Sequence, residues 1–173
     1  WEPWSSTFNC FNEDTLLRNE IGICKAIIEG KYDFYLEEFS AKISALQTPV
    51  FLRFAHEMGN PLYGWSNNSP EDYILAYQYV HHFFEEKEIN NVVWVWNPWK
   101  EVDKYYPGNE YVDWIGLTLL NYGEINENSY WESFEDLYDY FYFRIIKYNK
   151  PIMLAEFGST NYGGKNQNWM EES

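Results

Sequence analysis

The chain has 173 residues, the size of one domain, and 46% apolar residues, enough for a genuine core. Its 27 Asp and Glu outweigh 12 Lys and Arg, for a net charge of −15. That balance argues against nucleic acid and against anionic membrane surfaces, both of which need a basic patch. No stretch approaches the roughly 18 apolar residues of a membrane-spanning helix.

Aromatic residues make up 21% of the chain, with 9 Trp, 16 Tyr and 12 Phe. A core cannot hide so many Tyr and Trp, whose polar tips want partners, so some belong on a surface or in a cleft. A neutral ligand with many hydroxyls and flat C–H faces suits aromatics that stack and carboxylates that accept hydrogen bonds. Carbohydrate fits that description; acidity by itself is also simply a solubility device. Cys10 and Cys24 are too few to fix a redox compartment and are compatible with either a pair or free thiols. Trp1-Glu2-Pro3-Trp4 is not a signal peptide.

In chain order, Trp1–Trp4 reads as the end of a strand. Residues 33–46 (DFYLEEFSAKISAL) form a helix with Leu36, Phe39, Ile43 and Leu46 on one face. Residues 48–57 (TPVFLRFAHE) are a strand apolar on both faces. Residues 69–90 are a helix: Ser69 is the N-cap, Pro70 takes the first helical position, and Glu71 and Asp72 complement the dipole. Its spacing puts Ile74, Tyr77, Val80 or His81, and Phe84 on the buried side. Residues 91–98 (NVVWVWNP) are a second buried strand, 111–120 (YVDWIGLTLL) a third, 133–150 a helix capped by Ser133, and 150–158 (KPIMLAEFG) a fourth strand.

This order predicts a parallel α/β fold, either an open doubly wound sheet or a (β/α)₈ barrel. No glycine-rich phosphate loop follows a strand, which disfavours the nucleotide-binding open sheet. Polar residues gather instead at strand C-termini: Arg53, His56 and Glu57; Trp96 and Asn97; Asn121 and Tyr122; and Glu156. That is where a barrel keeps its chemistry. A full barrel needs about 250 residues. The expectation is therefore a single domain over 1–173, a partial barrel from about strand three to just after strand seven.

Glu57 and Glu156 each end an apolar run, in a setting that perturbs a carboxylate. Two such groups are the equipment of glycoside hydrolysis, one as acid/base and one as nucleophile, about 5 to 5.5 Å apart in a retaining enzyme. A lone Glu at a strand end is more often a solvated charge or a helix cap; two in this context make catalysis as strong a reading. Alternation puts Arg53 on the same side of its strand as Glu57. Trp96 is a stacking platform or a core residue, and Glu2 a sugar-binding group or one half of a salt bridge. His81 and His82 read as surface and packing residues. His56-Glu57 does not open a zinc motif, because position 60 is Asn60.

The segments PVFLRFAHEM, NVVWVWNP, YYPGNEYVDWIGL and KPIMLAEFGS, in that order and with WEPW before them, resemble glycoside hydrolase family 26. This family contains β-mannanases and some β-1,3-1,4-glucanases. The resemblance implies a (β/α)₈ barrel, Glu57 as acid/base at the end of strand four, and Glu156 as nucleophile at the end of strand seven. It places His56 beside the nucleophile or the sugar and gives Arg53 a bracing role. Tyr63, Trp65, Trp96, Asn121, Tyr122 and Glu2 complete the expected substrate-binding set. It implies no metal and no cofactor. Two positions depart from the pattern. The first Trp after His-Glu-Met is Leu62, while the second matches Trp65, and the Tyr that hydrogen-bonds the nucleophile is Leu120; Tyr122 and Tyr63 are the neighbouring hydroxyls.

The expected function is retaining, endo-acting hydrolysis of a β-linked polysaccharide such as β-mannan or β-glucan. The alternative is a non-catalytic carbohydrate-binding barrel within a larger polysaccharide-processing protein. Partners are then a polysaccharide or oligosaccharide and other domains of the same polypeptide, with no nucleic acid. Polysaccharide degradation would favour an extracellular or cell-surface location.

Overall fold

The structure is a computed structural model and describes residues 1–125, 129–171 and 173. The chain divides into two compact units, Trp1–Trp114 and Ile115–Ser173.

The first unit opens without a strand: residues 1–4 carry no regular structure. A short helix α1 (Thr15–Arg18) follows, whose N-cap Asp14 accepts from the N–H groups of Leu16 and Leu17. Helices α2 (Ile23–Ile28) and α3 (Asp33–Ala45) come next. On α3 the buried positions are Leu36, Ser40 and Ile43, while Leu46, beyond its last turn, is 59% exposed. Strand β1 (Val50–Arg53) leads into α4 (Pro70–Glu86), and β2 (Val92–Trp96) pairs with β1 in parallel, Val50 opposite Val92 and Arg53 opposite Val95.

Helix α4 begins as its sequence dictates. The Ser69 Oγ accepts the Asp72 N–H at 3.0 Å, Pro70 starts the helix, and two acids occupy the first turn. Its buried stripe is Tyr73, Ala76, Tyr77, Val80, His81 and Phe84. Tyr73, rather than the expected Ile74, thus heads the stripe, because its ring stacks on Phe54 with 10° between the planes. Phe54, Tyr77, Phe84 and Trp94 form an aromatic core of edge-on and tilted contacts between α4 and the strands.

The second unit holds β3 (Trp114–Asn121, which begins one residue earlier), α5 (Phe134–Ile145), β4 (Ile152–Ser159) and α6 (Asn166–Glu171). Strands β3 and β4 are parallel, with an irregularity between Leu117 and Thr118 that brings Thr118 opposite Glu156. The Ser133 Oγ caps α5 by accepting the Asp136 N–H at 3.0 Å. Trp169 of α6 is buried against Phe134 and Phe157, and its Nε1–H donates to the Glu132 carbonyl at 2.9 Å. Cys10 and Cys24 are unpaired. Cys24 is buried, and burial raises its thiol pKa so far that it stays a neutral packing group. Among the described residues, no helix is long and apolar enough to cross a membrane.

Candidate active site

The strand carrying Arg53 stops at that residue, four positions before Glu57. The backbone explains the stop. Ala55 (φ +42°) and Glu57 (φ +52°) are both left-handed, a conformation that ends a strand and costs a residue with a Cβ about 1 kcal/mol or more. Fixed partners hold these residues there: the Ala55 N–H donates to the Trp1 carbonyl at 2.9 Å, and the Glu57 N–H to the Asn97 carbonyl at 2.8 Å. Met58 then bridges Pro98 in parallel, so the chain beyond the strand is still clamped to the end of β2.

Glu57 itself is 7% exposed. Its Oε2 accepts a hydrogen bond from Asn60 Nδ2 at 2.8 Å, and Asn60 is buried as well. The same Asn60 accepts the Leu62 N–H through its Oδ1 at 3.1 Å and receives the Tyr63 N–H on its carbonyl. One side chain therefore orients the carboxylate and shapes the loop after it. Arg53 reaches the same neighbourhood by another route: its Nη1 donates to Asn97 Oδ1 at 2.8 Å. Asn97 is fully buried and joins both residues, Arg53 through its side chain and Glu57 through its carbonyl. Strand alternation thus does not relate Arg53 to Glu57; Asn97 does.

His56 is buried, with Nε2 3.2 Å from the Tyr63 hydroxyl and Nδ1 3.8 Å from Glu2 Oε1. Glu2 also accepts the Trp4 Nε1–H at 3.0 Å. Trp65 is 1% exposed; its Nε1–H donates to the His56 carbonyl at 2.8 Å, and Tyr63 stacks on it at 4.6 Å with 9° between the planes. Trp4 closes edge-on against Trp65 at 4.8 Å. Trp96 is fully buried with Tyr106 edge-on at 4.9 Å. Within this unit, then, Trp65 and Trp96 are interior residues, and Leu62, at 81% exposed, projects from the loop.

In the second unit Glu156 lies within β4, three residues before its end, and is partly exposed. Asn121 is buried and clamps the loop after β3: Nδ2 donates to Ser159 Oγ at 3.1 Å, while Oδ1 accepts the N–H groups of Gly123 and Glu132. Tyr122 is 55% exposed. Gly123 (φ +53°) is a required glycine, since a Cβ there would lie 1.9 Å from the Tyr162 carbonyl oxygen. Leu120 pairs with Gly158 and comes within 3.6 Å of where a Cβ on Gly158 would sit.

Sequence reasoning missed Asn60 and the linking part played by Asn97. Asn97 stood among the polar residues at strand ends, but nothing in its spacing disclosed two separate partners. Asn60 had a weak signal, an amide three residues after a Glu in a Gly-Asn-Pro turn.

Strands paired in parallel, helices between them, and carboxylates at or near the strand C-termini define the parallel α/β class from which barrel enzymes are built. Within that class, residues 16–172 match the model of glycosyl hydrolase family 26, and the chain belongs to that family. It is 29% identical to Endoglucanase H of Acetivibrio thermocellus, over its whole length but only 19% of that protein. It is 31% identical to mannan endo-1,4-β-mannosidase A and B of Caldalkalibacillus mannanilyticus, over 63% of this chain and 21% of that protein. The family-26 domain of an endo-β-mannanase/endo-β-glucanase from Prevotella bryantii superposes with a TM-score of 0.63 at 20% identity, covering 94% of this chain and 51% of that one. The fold is therefore part of a (β/α)₈ barrel, and the chain spans about a fifth of these two curated relatives and half of the solved domain.

Proposed function

We propose that the protein containing this chain is a retaining, endo-acting glycoside hydrolase of a β-linked polysaccharide, β-mannan or β-glucan. The observation that carries the reading is the setting of Glu57: a buried carboxylate on a left-handed residue, hydrogen-bonded by Asn60 and backed by Asn97. A solvated surface charge does not require such a setting. Family membership supports it, as do the endoglucanase and mannosidase activities in the names of the relatives.

In this reading Glu57 protonates the departing glycosidic oxygen while Glu156 attacks the anomeric carbon, breaking the C–O bond and forming a glycosyl ester. Glu57, now a carboxylate, then takes a proton from water. The water oxygen bonds to the anomeric carbon, Glu156 leaves as carboxylate, and the sugar is released with its original configuration. Asn60 holds the Glu57 carboxyl in one orientation through both steps. Trp65 and Tyr63 fix the His56 backbone and ring, and His56 and Tyr122 contact the sugar. Retention of both glutamates favours catalysis over a binding-only barrel.

The test is hydrolysis of β-mannan and mixed-linkage β-glucan by the full-length polypeptide, followed by proton NMR of the first products. The expected result is mid-chain cleavage with the β-anomer appearing first. An initial α-anomer would contradict the double displacement.

A further inference from the structure

Helix α4 carries a cluster that the proposed hydrolysis does not use. His81, His82 and Glu85 bring one ligand atom each to within 4.8 Å of one another. Both histidine Nδ1 atoms point at the same oxygen: His81 Nδ1 lies 3.4 Å and His82 Nδ1 3.0 Å from Glu85 Oε2. A tetrahedral zinc ion, with bonds of about 2.0 to 2.1 Å to nitrogen and oxygen, separates its ligand atoms by about 3.3 Å. The two separations straddle that value.

A second observation is independent of the spacing. His81 is buried, and among the described residues its Nδ1 makes no hydrogen bond. Glu85 Oε2, 3.4 Å away, does not close a hydrogen bond with it, and a buried nitrogen so placed calls for an explanation. The ring is not free to turn away from that position: Trp94 packs on it at 4.9 Å and Tyr111 meets it edge-on at 5.2 Å. His82 has the outer support typical of a ligating imidazole, with the Tyr111 hydroxyl 3.3 Å from its Nε2. Without an ion the His82 Nδ1–H donates to Glu85 Oε2 at 3.0 Å; a bound ion would take the place of that proton, with Nε2–H turned to Tyr111.

We infer that His81, His82 and Glu85 form a binding site for a divalent transition-metal ion, zinc foremost. Two imidazoles and one carboxylate suit zinc, copper or nickel and give calcium or magnesium a single oxygen. The half-exposed side chains of His82 and Glu85 leave the fourth position to water. His81 lies about 17 Å further along the helix axis than Pro70, where the chain enters α4 from the Glu57 loop. An ion there joins two consecutive turns of α4 and, through His82, the segment carrying Tyr111. Its effect is therefore on stability rather than on the hydrolytic step.

The experiment uses the metal-free full-length polypeptide, titrated calorimetrically with zinc chloride and followed by thermal melting. Two exposed ligands are changed singly, His82→Ala and Glu85→Gln, so that the buried His81 and the fold stay intact. The proposal expects a zinc-dependent rise in Tm and a weakening of zinc binding by more than about 100-fold in each variant, beyond what loss of an outer partner causes. Tyr111→Phe weakens binding by about 10-fold. Cobalt in place of zinc gives the visible absorption of a tetrahedral site in the unaltered protein and not in the two ligand variants. Zinc affinity and the cobalt spectrum unchanged in both variants, or no zinc bound by the unaltered protein at about 1 mM, overturns it.

Discussion

The two glutamates stand in unlike surroundings. Glu57 follows a short strand and is enclosed: its backbone is left-handed, its N–H is tied to β2, and its carboxylate is held by Asn60. Glu156 belongs to a strand whose residues are all half-buried or exposed, and it follows directly on the register shift that sets it opposite Thr118. The first is positioned by a left-handed turn, the Asn97 carbonyl and the Asn60 amide, whereas the second stands in a parallel strand ladder. A proton donor has to keep one orientation through two proton transfers, whereas a nucleophile on a strand is aimed by its backbone. The proposed roles are tested by whether this contrast shows in the variants.

The largest expected effect comes from removing either carboxylate, and the two losses should differ in kind. Glu156→Ala should lower hydrolysis by about 10⁴-fold or more, with activity partly restored by azide, which replaces the missing nucleophile. Glu57→Ala should spare substrates with a good leaving group, such as aryl glycosides, far more than polysaccharide, because these need no proton in the first step. Similar losses on both substrates for both variants would erase the distinction.

Next in size is the support of Glu57. Asn60→Ala is expected to lower kcat by about 10- to 100-fold with little change in KM, since it removes an orienting hydrogen bond. Asn97→Ala should instead lower stability by about 1 to 3 kcal/mol, measured by urea unfolding, because it removes a fully buried amide and the charge-assisted hydrogen bond it accepts from Arg53.

Smaller effects lie away from both glutamates. Burial raises the Glu20 pKa, but hydrogen bonds from Ser5 and Ser6 outweigh it and leave the group below the usual carboxylate range. A depressed carboxylate contributes stability above its unfolded pKa and loses it as pH falls through the folded value. Glu20→Gln should therefore cost about 1 kcal/mol at neutral pH after solvent screening, shrinking towards zero in acid, read as Tm against pH. Smallest is Tyr77→Phe: the Tyr77 hydroxyl is buried without a hydrogen bond among the described residues, so its removal should be neutral or stabilising by up to about 1 kcal/mol.

Much of the fold was legible because local signals and burial agreed. Ser69-Pro70-Glu71-Asp72 names its helix start without tertiary help, as does Ser133 for α5. The apolar runs placed all four strands. The end of β1 was not legible, because the sequence FAHEM continues a strand pattern and only the partners Trp1 and Asn97 make left-handed Ala55 and Glu57 tenable. WEPW has no regular strand of its own, but Trp1 lies beside the end of β1 as a strand end does: its N–H donates to the Arg53 carbonyl and its carbonyl accepts the Ala55 N–H. Trp65 and Trp96, expected in the substrate-binding set, are buried within the first unit, and Trp65 donates to the His56 carbonyl, which composition alone does not disclose. The His81–His82–Glu85 cluster was visible as letters but not as chemistry, because burial of one imidazole and convergence of two Nδ1 atoms depend on rotamers.

The central claim, that Glu156 is the nucleophile and Glu57 the acid/base, is tested most directly by trapping the intermediate. A 2-deoxy-2-fluoro glycoside with an activated leaving group is incubated with the full-length polypeptide, and the labelled peptide is sequenced by mass spectrometry. One covalent sugar per molecule on Glu156 is the predicted result. A label on Glu57 or on any other residue, with hydrolysis intact, would contradict the assignment.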